Sequence, residues 1–346
     1  MTPAGRAADA LLEASVAGSF SRVGLAVRSR LLPEFTGDQP RPAAGRVAVV
    51  TGATSGLGLA AARELVRRGW AVHFLARDPA RAAAARHQIA GPGNPGNPGN
   101  PGEPGEPGEP GRSGGHGAVS YGLADLEDLD SVCAFAREFR GAFGRLDVLV
   151  HAAGAIHPRY AVNRAGIELT VAGQVVAPFV LTRLLLPALL AAAPARVITV
   201  SSGGMYTQRL DPAALQMTPP GYRGVTAYAR AKRAQVALSG EWARRISPGE
   251  VAFHAMHPGW ADTPGLAAAL PRFRRLVRPV LRTPEQGADT IVWLATADAG
   301  PLGSGRFWHD RRPRPENRRP WTGHADTAAA RHLWDCLDAT SDVRAR

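Results

Sequence analysis

The chain has 346 residues, 45% of them apolar: enough to bury one sizeable α/β core, and too few for several domains once low-complexity stretches are set aside. Cys133 and Cys336 are its only cysteines, which excludes a disulfide framework or a cysteine metal cluster and points to a reducing compartment, the cytoplasm. The net charge of +12 rests on 40 arginines and a single lysine, Lys232; with no nucleic-acid-binding motif beside it, the bias reads as overall composition and no nucleic-acid partner is expected.

Residues 1–44 read as an N-terminal helical leader. SFSRVGLAVRSRLLPEF at 19–35 alternates apolar and basic residues at roughly helical spacing, which predicts a helix packed on the domain and leaves peripheral membrane association open. A secretory signal is not expected, because no basic start, apolar run and small-residue cleavage site follow one another.

From 45 to 310 short β-branched runs alternate with helical stretches, the pattern of repeated βαβ units. Strands are predicted at 46–51, 71–76, 118–123, 146–152, 196–201, 251–257 and 305–309, with helices at 57–68, 127–141, 165–192, 226–246 and 284–296. Together they predict a Rossmann-type, doubly wound, parallel seven-stranded sheet with helices on both faces. A Gly-X-Pro low-complexity insert occupies 91–115; its six triplets are too few for a collagen helix and read as a linker. No run of about 18 uninterrupted apolar residues exists, and the nearest, at 176–195, carries Arg183, Pro178 and Pro187, so it is predicted to be a buried helix and no membrane span is expected. Residues 311–346 read as a basic tail with a short helix, and the cluster RFWHDRRPRPENRR at 306–319 as a solvated basic face.

Four motifs carry chemistry. TGATSGLG at 51–58 joins a strand to a helix, so Gly52, Thr54, Ser55, Gly56, Leu57 and Gly58 are candidates to cradle a pyrophosphate on free helix N–H groups. Strand 2 closes with LARD: Ala76 stands where an acidic side chain would meet a free ribose hydroxyl, and Arg77 follows, which favours NADP (NADPH) over NAD. Asp125 and Leu126, after strand 3, are candidate adenine contacts, Asp125 also being suited to cap the next helix. Tyr228 and Lys232, in YARAK, fall on one helix face at i and i+4. A phenol titrates near 10, so proton transfer at neutral pH asks for a neighbouring cation, and this chain keeps its one lysine there. Ser201 and Ser202 end strand 5 beside the same crevice, where a hydroxyl can donate to a carbonyl oxygen. After strand 6, Pro258, Gly259 and Thr263 form a turn suited to close over the nicotinamide end. His254, His257 and His309 lack ligand spacing and read as structural, so no metal is expected.

In this order, over roughly residues 44–310, these motifs resemble the short-chain dehydrogenase/reductase family. The resemblance implies hydride transfer between C4 of a nicotinamide and a carbonyl or alcohol carbon, and assembly as a homo-oligomer. It makes Tyr228 the general acid/base, Lys232 the group that lowers its pKa and holds the nicotinamide ribose, and Ser202 the donor that orients the carbonyl. Two positions depart from the family pattern. The strand-4 turn, N-N-A-G in the family, is HAAG here: His151 and Ala152 replace asparagines that tie strands together, while Ala153 and Gly154 keep the cofactor-facing positions. Gln174 stands where the family has the asparagine of a proton relay. One lost hydrogen bond implies about 0.5–1.5 kcal/mol, enough to weaken the site without abolishing it.

The expected function is an NADP(H)-dependent oxidoreductase acting on a small carbonyl or alcohol substrate. A catalytically weak or inactive NADP-binding sensor or scaffold is the alternative. The segment 265–282 is expected to be a substrate lid, its apolar residues pointing to a lipophilic substrate and Arg272, Arg274 and Arg275 to an anionic one.

Overall fold

The structure, a computed structural model, describes residues 3–35, 43, 45–91, 117–298, 302–318 and 327–342. Apart from Gly91, the Gly-X-Pro insert lies outside the described residues.

Three short helices, α1 (Pro3–Ala14), α2 (Val16–Phe20) and α3 (Arg22–Leu31), precede the sheet. The strands are β1 (Val47–Thr51), β2 (Ala71–Ala76), β3 (Val119–Leu123), β4 (Val148–His151), β5 (Ala195–Val200), β6 (Val251–Met256), β7 (Arg306–His309) and β8 (Arg312–Pro313), in the spatial order β3-β2-β1-β4-β5-β6-β7-β8. The first seven in that order are parallel, and β8 is antiparallel to β7. The eighth strand was not expected: Asp310 and Arg311 take φ of 51° and 57°, which folds the chain straight back on β7 instead of releasing a tail.

Both faces of the sheet are covered, as near-continuous apolar strands require. Val47 and Val49 point into one core with α6 (Leu129–Ala142), α9 (Gly224–Arg245) and α13 (Thr327–Asp342). Ala48 and Val50 point into the other, with α4 (Gly56–Arg67), α5 (Pro79–Ala90) and α12 (Pro284–Thr296). The bounds of helix α5, not predicted, are set at its start by Asp78 and Pro79: the Asp78 carboxylate accepts from the Arg81 N–H at 2.7 Å and proline fills the first helical position. The apolar run at 176–195 lies in one interrupted helix made of α7 (Leu169–Val171), a π turn (Ala172–Val176) and α8 (Ala177–Leu190). It has the length and apolarity of a membrane span, but 72% of its most apolar window is buried inside the fold, as a core helix.

The described part of the basic cluster, 306–318, is not a solvated face. Trp308 is 2% exposed and donates to His254 Nδ1 at 3.2 Å. Arg311 pairs with Asp289 and Arg314 with Asp9, at 2.7 and 2.8 Å, and Arg318 with Glu13. The leader supplies several of these carboxylates, so sequence-local charge counting misses the cancellation. At its centre Asp310, 2% exposed, takes Arg28 at 2.7 Å and Arg282 at 2.6 and 2.9 Å. Asp310→Asn preserves the left-handed backbone, which asparagine tolerates, and takes from buried Arg282 its carboxylate partner, while Arg28 keeps Asp9 at 2.8 Å and Glu13 at 2.7 Å. Denaturant unfolding is expected to show a loss of about 3–5 kcal/mol; a change within experimental error would mean the network adds nothing net.

Candidate active site

A cavity of about 790 Å³ opens at the carboxyl ends of the strands, where the order reverses between β1 and β4. The candidate catalytic and cofactor-binding residues line it, from Gly52 through Arg77 and Asp125 to Thr263, whereas His151 does not. Its glycine turn is dictated by close approach. A Cβ on Gly52, at φ 70°, would lie 2.7 Å from Ala153 Cα, and one on Gly58 2.4 Å from the Gly52 carbonyl. Thr263 leans over the turn, since a Cβ on Gly56 would meet its side chain at 3.2 Å. Ser55 precedes α4 but makes no side-chain cap, so the first-turn N–H groups face the cavity without a protein acceptor there. That is a cradle for an anion, and a dinucleotide's pyrophosphate fits the donor set.

At the adenosine end, buried Ala76 puts no acid at the strand terminus; Arg77, Asp78 and Arg81 line the cavity, and the Asp78 carboxylate is engaged by the Arg81 N–H at 2.7 Å. Arg81 carries no motif of its own in the sequence; it follows Arg77 by four residues. Arg77 lies 3.7 Å from Asp125, an exposed pair worth little by itself. Asp125 caps the turn, accepting from the Glu127 N–H at 3.0 Å, while Asp128 caps α6. Beside it His157 and Glu127, also unforeseen, pair at 3.2 Å and wall the cavity; Glu127 holds the imidazole above its ordinary value.

Tyr228 and Lys232 sit one turn apart on α9, and Tyr228 and Ser202, just past the end of β5, line the same cavity. Ser201 plays a different part: its hydroxyl donates to the Lys232 carbonyl at 2.9 Å and fastens α9 to the strand end. Lys232 is 2% exposed. Its ammonium donates to the Val200 carbonyl at 2.9 Å and to Gln235 Oε1 at 3.0 Å, and lies 5.4 Å from the centre of the Tyr228 ring. Burial pushes this lysine down to about 7 and the Tyr228 phenol above its ordinary value, with Ser202 pulling the phenol back. The expected lowering of the phenol by Lys232 is therefore not seen: desolvation outweighs it, and the ammonium is turned to the Val200 carbonyl and Gln235.

The two departures from the family pattern find local answers. The Thr51 hydroxyl accepts from both the Ala152 and Ala153 N–H groups at 3.1 Å, tying β1 to the β4 turn without an asparagine. His151 Nε2 meets the Thr182 hydroxyl at 2.8 Å, and burial together with the Lys232 charge pushes His151 down to about 3. Gln174 is 3% exposed; its Nε2 donates to the Ala155 carbonyl at 2.7 Å, and its Oε1 has no hydrogen-bond partner and faces Gly154. Its backbone carbonyl, in the π turn, accepts from Gln235 Nε2 at 2.6 Å. Gln235 thus links the lysine to the helix where the family pattern has an asparagine relay, a role without a sequence signal of its own.

The far end is apolar: Ile156, Val225, Trp260, Leu266, Leu270 and Phe273 line it. The last three belong to α10 (Pro264–Ala269), the α10–α11 junction and α11 (Pro271–Val277), within the expected lid. Trp260 and Phe273 meet edge to face at 5.3 Å. Arg272, Arg274 and Arg275 do not line the cavity, and Arg274 forks onto Asp262 at 2.6 and 3.0 Å.

The comparisons agree with this geometry. The model of the short chain dehydrogenase family matches residues 46–94 and 113–272. The chain is 38% identical over 272 residues to Dehydrogenase/reductase SDR family member 12 of Homo sapiens, which covers 78% of each chain. It is 33% identical over 321 residues to Retinol dehydrogenase 14 of Mus musculus, 86% of each. Among solved structures, a Beutenbergia cavernae protein named for NAD(P)-dependent gluconate 5-dehydrogenase, with bound NADP, superposes with a TM-score of 0.58 at 27% identity, over 78% of this chain and 96% of that one. The chain belongs to the short-chain dehydrogenase/reductase family. It is an oxidoreductase of CH–OH and C=O groups that works on small molecules with a nicotinamide cofactor.

Proposed function

We propose that the chain is an NADP(H)-dependent reductase of neutral, lipophilic carbonyl compounds, with the alcohol oxidation as its reverse. The observation that carries this reading is convergence: Tyr228, Ser202, Lys232 and the glycine cradle face one cavity whose far end is apolar. The nicotinamide, when bound, supplies or accepts the hydride. The chain's own residues do the rest. The α4 N-terminus and the glycine turn hold the pyrophosphate, Arg77 and Arg81 the 2′-phosphate, and Lys232 the ribose. Ser202 donates to the carbonyl oxygen, and Tyr228 delivers the proton to it. Burial keeps the phenol protonated through neutral pH, the state a reductase requires at the start of turnover. Trp260, Phe273 and the leucines exclude water and select an apolar body, which accords with the name of the retinol dehydrogenase relative.

A second reading, an NADP-binding sensor or scaffold with little turnover, draws on the ammonium's engagement by Val200 and Gln235. Steady-state NADPH oxidation against lipophilic aldehydes and ketones separates the two. Turnover above the cofactor-only background is expected, and tight NADPH binding with no turnover across the panel would favour the second.

Cofactor choice gives its own prediction. Arg77→Ser removes one charged contact to a 2′-phosphate, each worth about 1.5–3 kcal/mol. In calorimetric titration the NADPH Kd is expected to rise roughly tenfold to a hundredfold with the NADH Kd unchanged; an equal loss for both would mean that Arg77 does not read the phosphate.

A further inference from the structure

We infer that Phe20, in the leader that precedes the matched family segment, is a positioning residue of the active site, a wedge between the loop that follows Ser202 and the Pro258–Trp260 turn. Helix α2 ends at Phe20 and α3 begins at Arg22, with extended Ser21 between them capping α3 through its hydroxyl to the Gly24 N–H at 3.3 Å. The elbow is tight, since a Cβ on Gly24 would lie 2.0 Å from the Gly18 carbonyl. It drives the Phe20 ring into the domain, where the residue is 3% exposed.

On one side the ring lies directly against the backbone next to Ser202: a Cβ on Gly203 would fall 2.4 Å from Phe20 Cε2. On the other, the Phe20 carbonyl accepts from the Trp260 N–H at 2.8 Å and leaves no room for a side chain on Gly259, whose Cβ would lie 2.6 Å from it. The ring also meets His257 edge-on at 4.3 Å. The wedge is clamped from behind. Arg282 donates to the Ser19 carbonyl at 2.9 Å and to the Pro258 carbonyl at 3.2 Å, and Arg28 to the Ser19 carbonyl at 3.1 Å. Ser202, Pro258, Gly259 and Trp260 all line the cavity, so the wedge fixes two walls of its reacting end at once. A shift of about 1 Å in either wall is enough to lower turnover by about a hundredfold.

In its kinetic part the inference rests on the reductase reading; in its structural part it does not, and the test keeps the two apart. Full-length wild type, Phe20→Ala and Phe20→Leu are compared by hydrogen–deuterium exchange over 203–207, 257–263 and 52–58, by NADPH binding, and by NADPH oxidation with 4-nitrobenzaldehyde as the probe. For Phe20→Ala, exchange at least tenfold faster in the first two segments is expected, with 52–58 and the NADPH Kd within twofold of wild type. The kcat is expected to fall tenfold or more, and Phe20→Leu to recover part of both effects. Equal exchange in all three segments, whether unchanged or uniformly faster, would overturn the wedge, as would a variant whose only defect is a lower melting temperature. Should Phe20→Ala not fold, Phe20→Leu against wild type decides by the same criteria. A wild type inactive toward the probe would count against the reductase reading while the exchange comparison still judges the wedge.

Discussion

Tyr228→Phe is expected to lower NADPH-dependent carbonyl reduction by about 10²–10⁴-fold, the usual worth of a positioned proton donor, while the protein folds and binds NADPH as before. The phenol oxygen is the only heavy atom removed, and the Ser202 hydroxyl retains the Gly204 N–H at 3.2 Å. Ser202→Ala is expected to fall less, by about 10²–10³-fold, since it removes the donor that steadies the carbonyl oxygen but leaves the proton source. The pH profile sharpens the assignment. Because burial raises the phenol above its ordinary value of 10, reduction loses its protonated donor only in strongly alkaline solution, whereas alcohol oxidation, which needs the phenolate, climbs with pH. Steady-state kinetics of both variants decides: turnover by Tyr228→Phe equal to wild type would remove Tyr228 from the chemistry.

The features legible in the sequence are those with a local pattern. The glycine turn, the tyrosine and lysine one helical turn apart and the strand runs are each written within a dozen residues, and the single lysine stands out against 40 arginines. What escaped depends on partners far apart in the chain. Arg28 and Asp310 are 282 residues apart, so the basic cluster looked solvated although the leader neutralises part of it. The HAAG turn looked like a lost tie because the Thr51 hydroxyl that replaces it lies 101 residues upstream of Ala152. Likewise, a Lys232-lowered phenol was the natural expectation from spacing alone, but the balance between burial and charge depends on which acceptors the ammonium finds, and Val200 and Gln235 lie on its route. The bounds of α5 are hard to read for another reason: its alanines and arginines are featureless apart from the Asp78 cap and Pro79.

Thermal stability is expected to fall steeply between pH 6.5 and 5. Five histidines are held neutral by burial: His73, packed among Phe135, Phe139 and Phe143, and His309 are pushed down to about 4, His151 and His254 to about 3, and His257 well below its ordinary value. Below the ordinary imidazole value of 6.5 the unfolded chain takes up protons that the folded chain refuses, so stability is lost as pH drops and is regained as it rises. At pH 5 each displacement amounts to about 2 kcal/mol, hence about 10 kcal/mol for the five, against a total stability of about 5–15 kcal/mol for a folded domain. His157 works the other way, since Glu127 raises its value, but it is half-buried and single. Lower still, the carboxylates paired with arginine, Asp9 and Asp310 among them, extend the loss as they are forced to protonate. Calorimetric melting from pH 8 to 5 tests this, with His73→Phe as the internal control: replacing one proton-refusing ring of the five by an apolar one among phenylalanines removes about a fifth of the pH slope. A melting temperature flat across that range would show that these rings open to solvent and titrate freely in the folded protein.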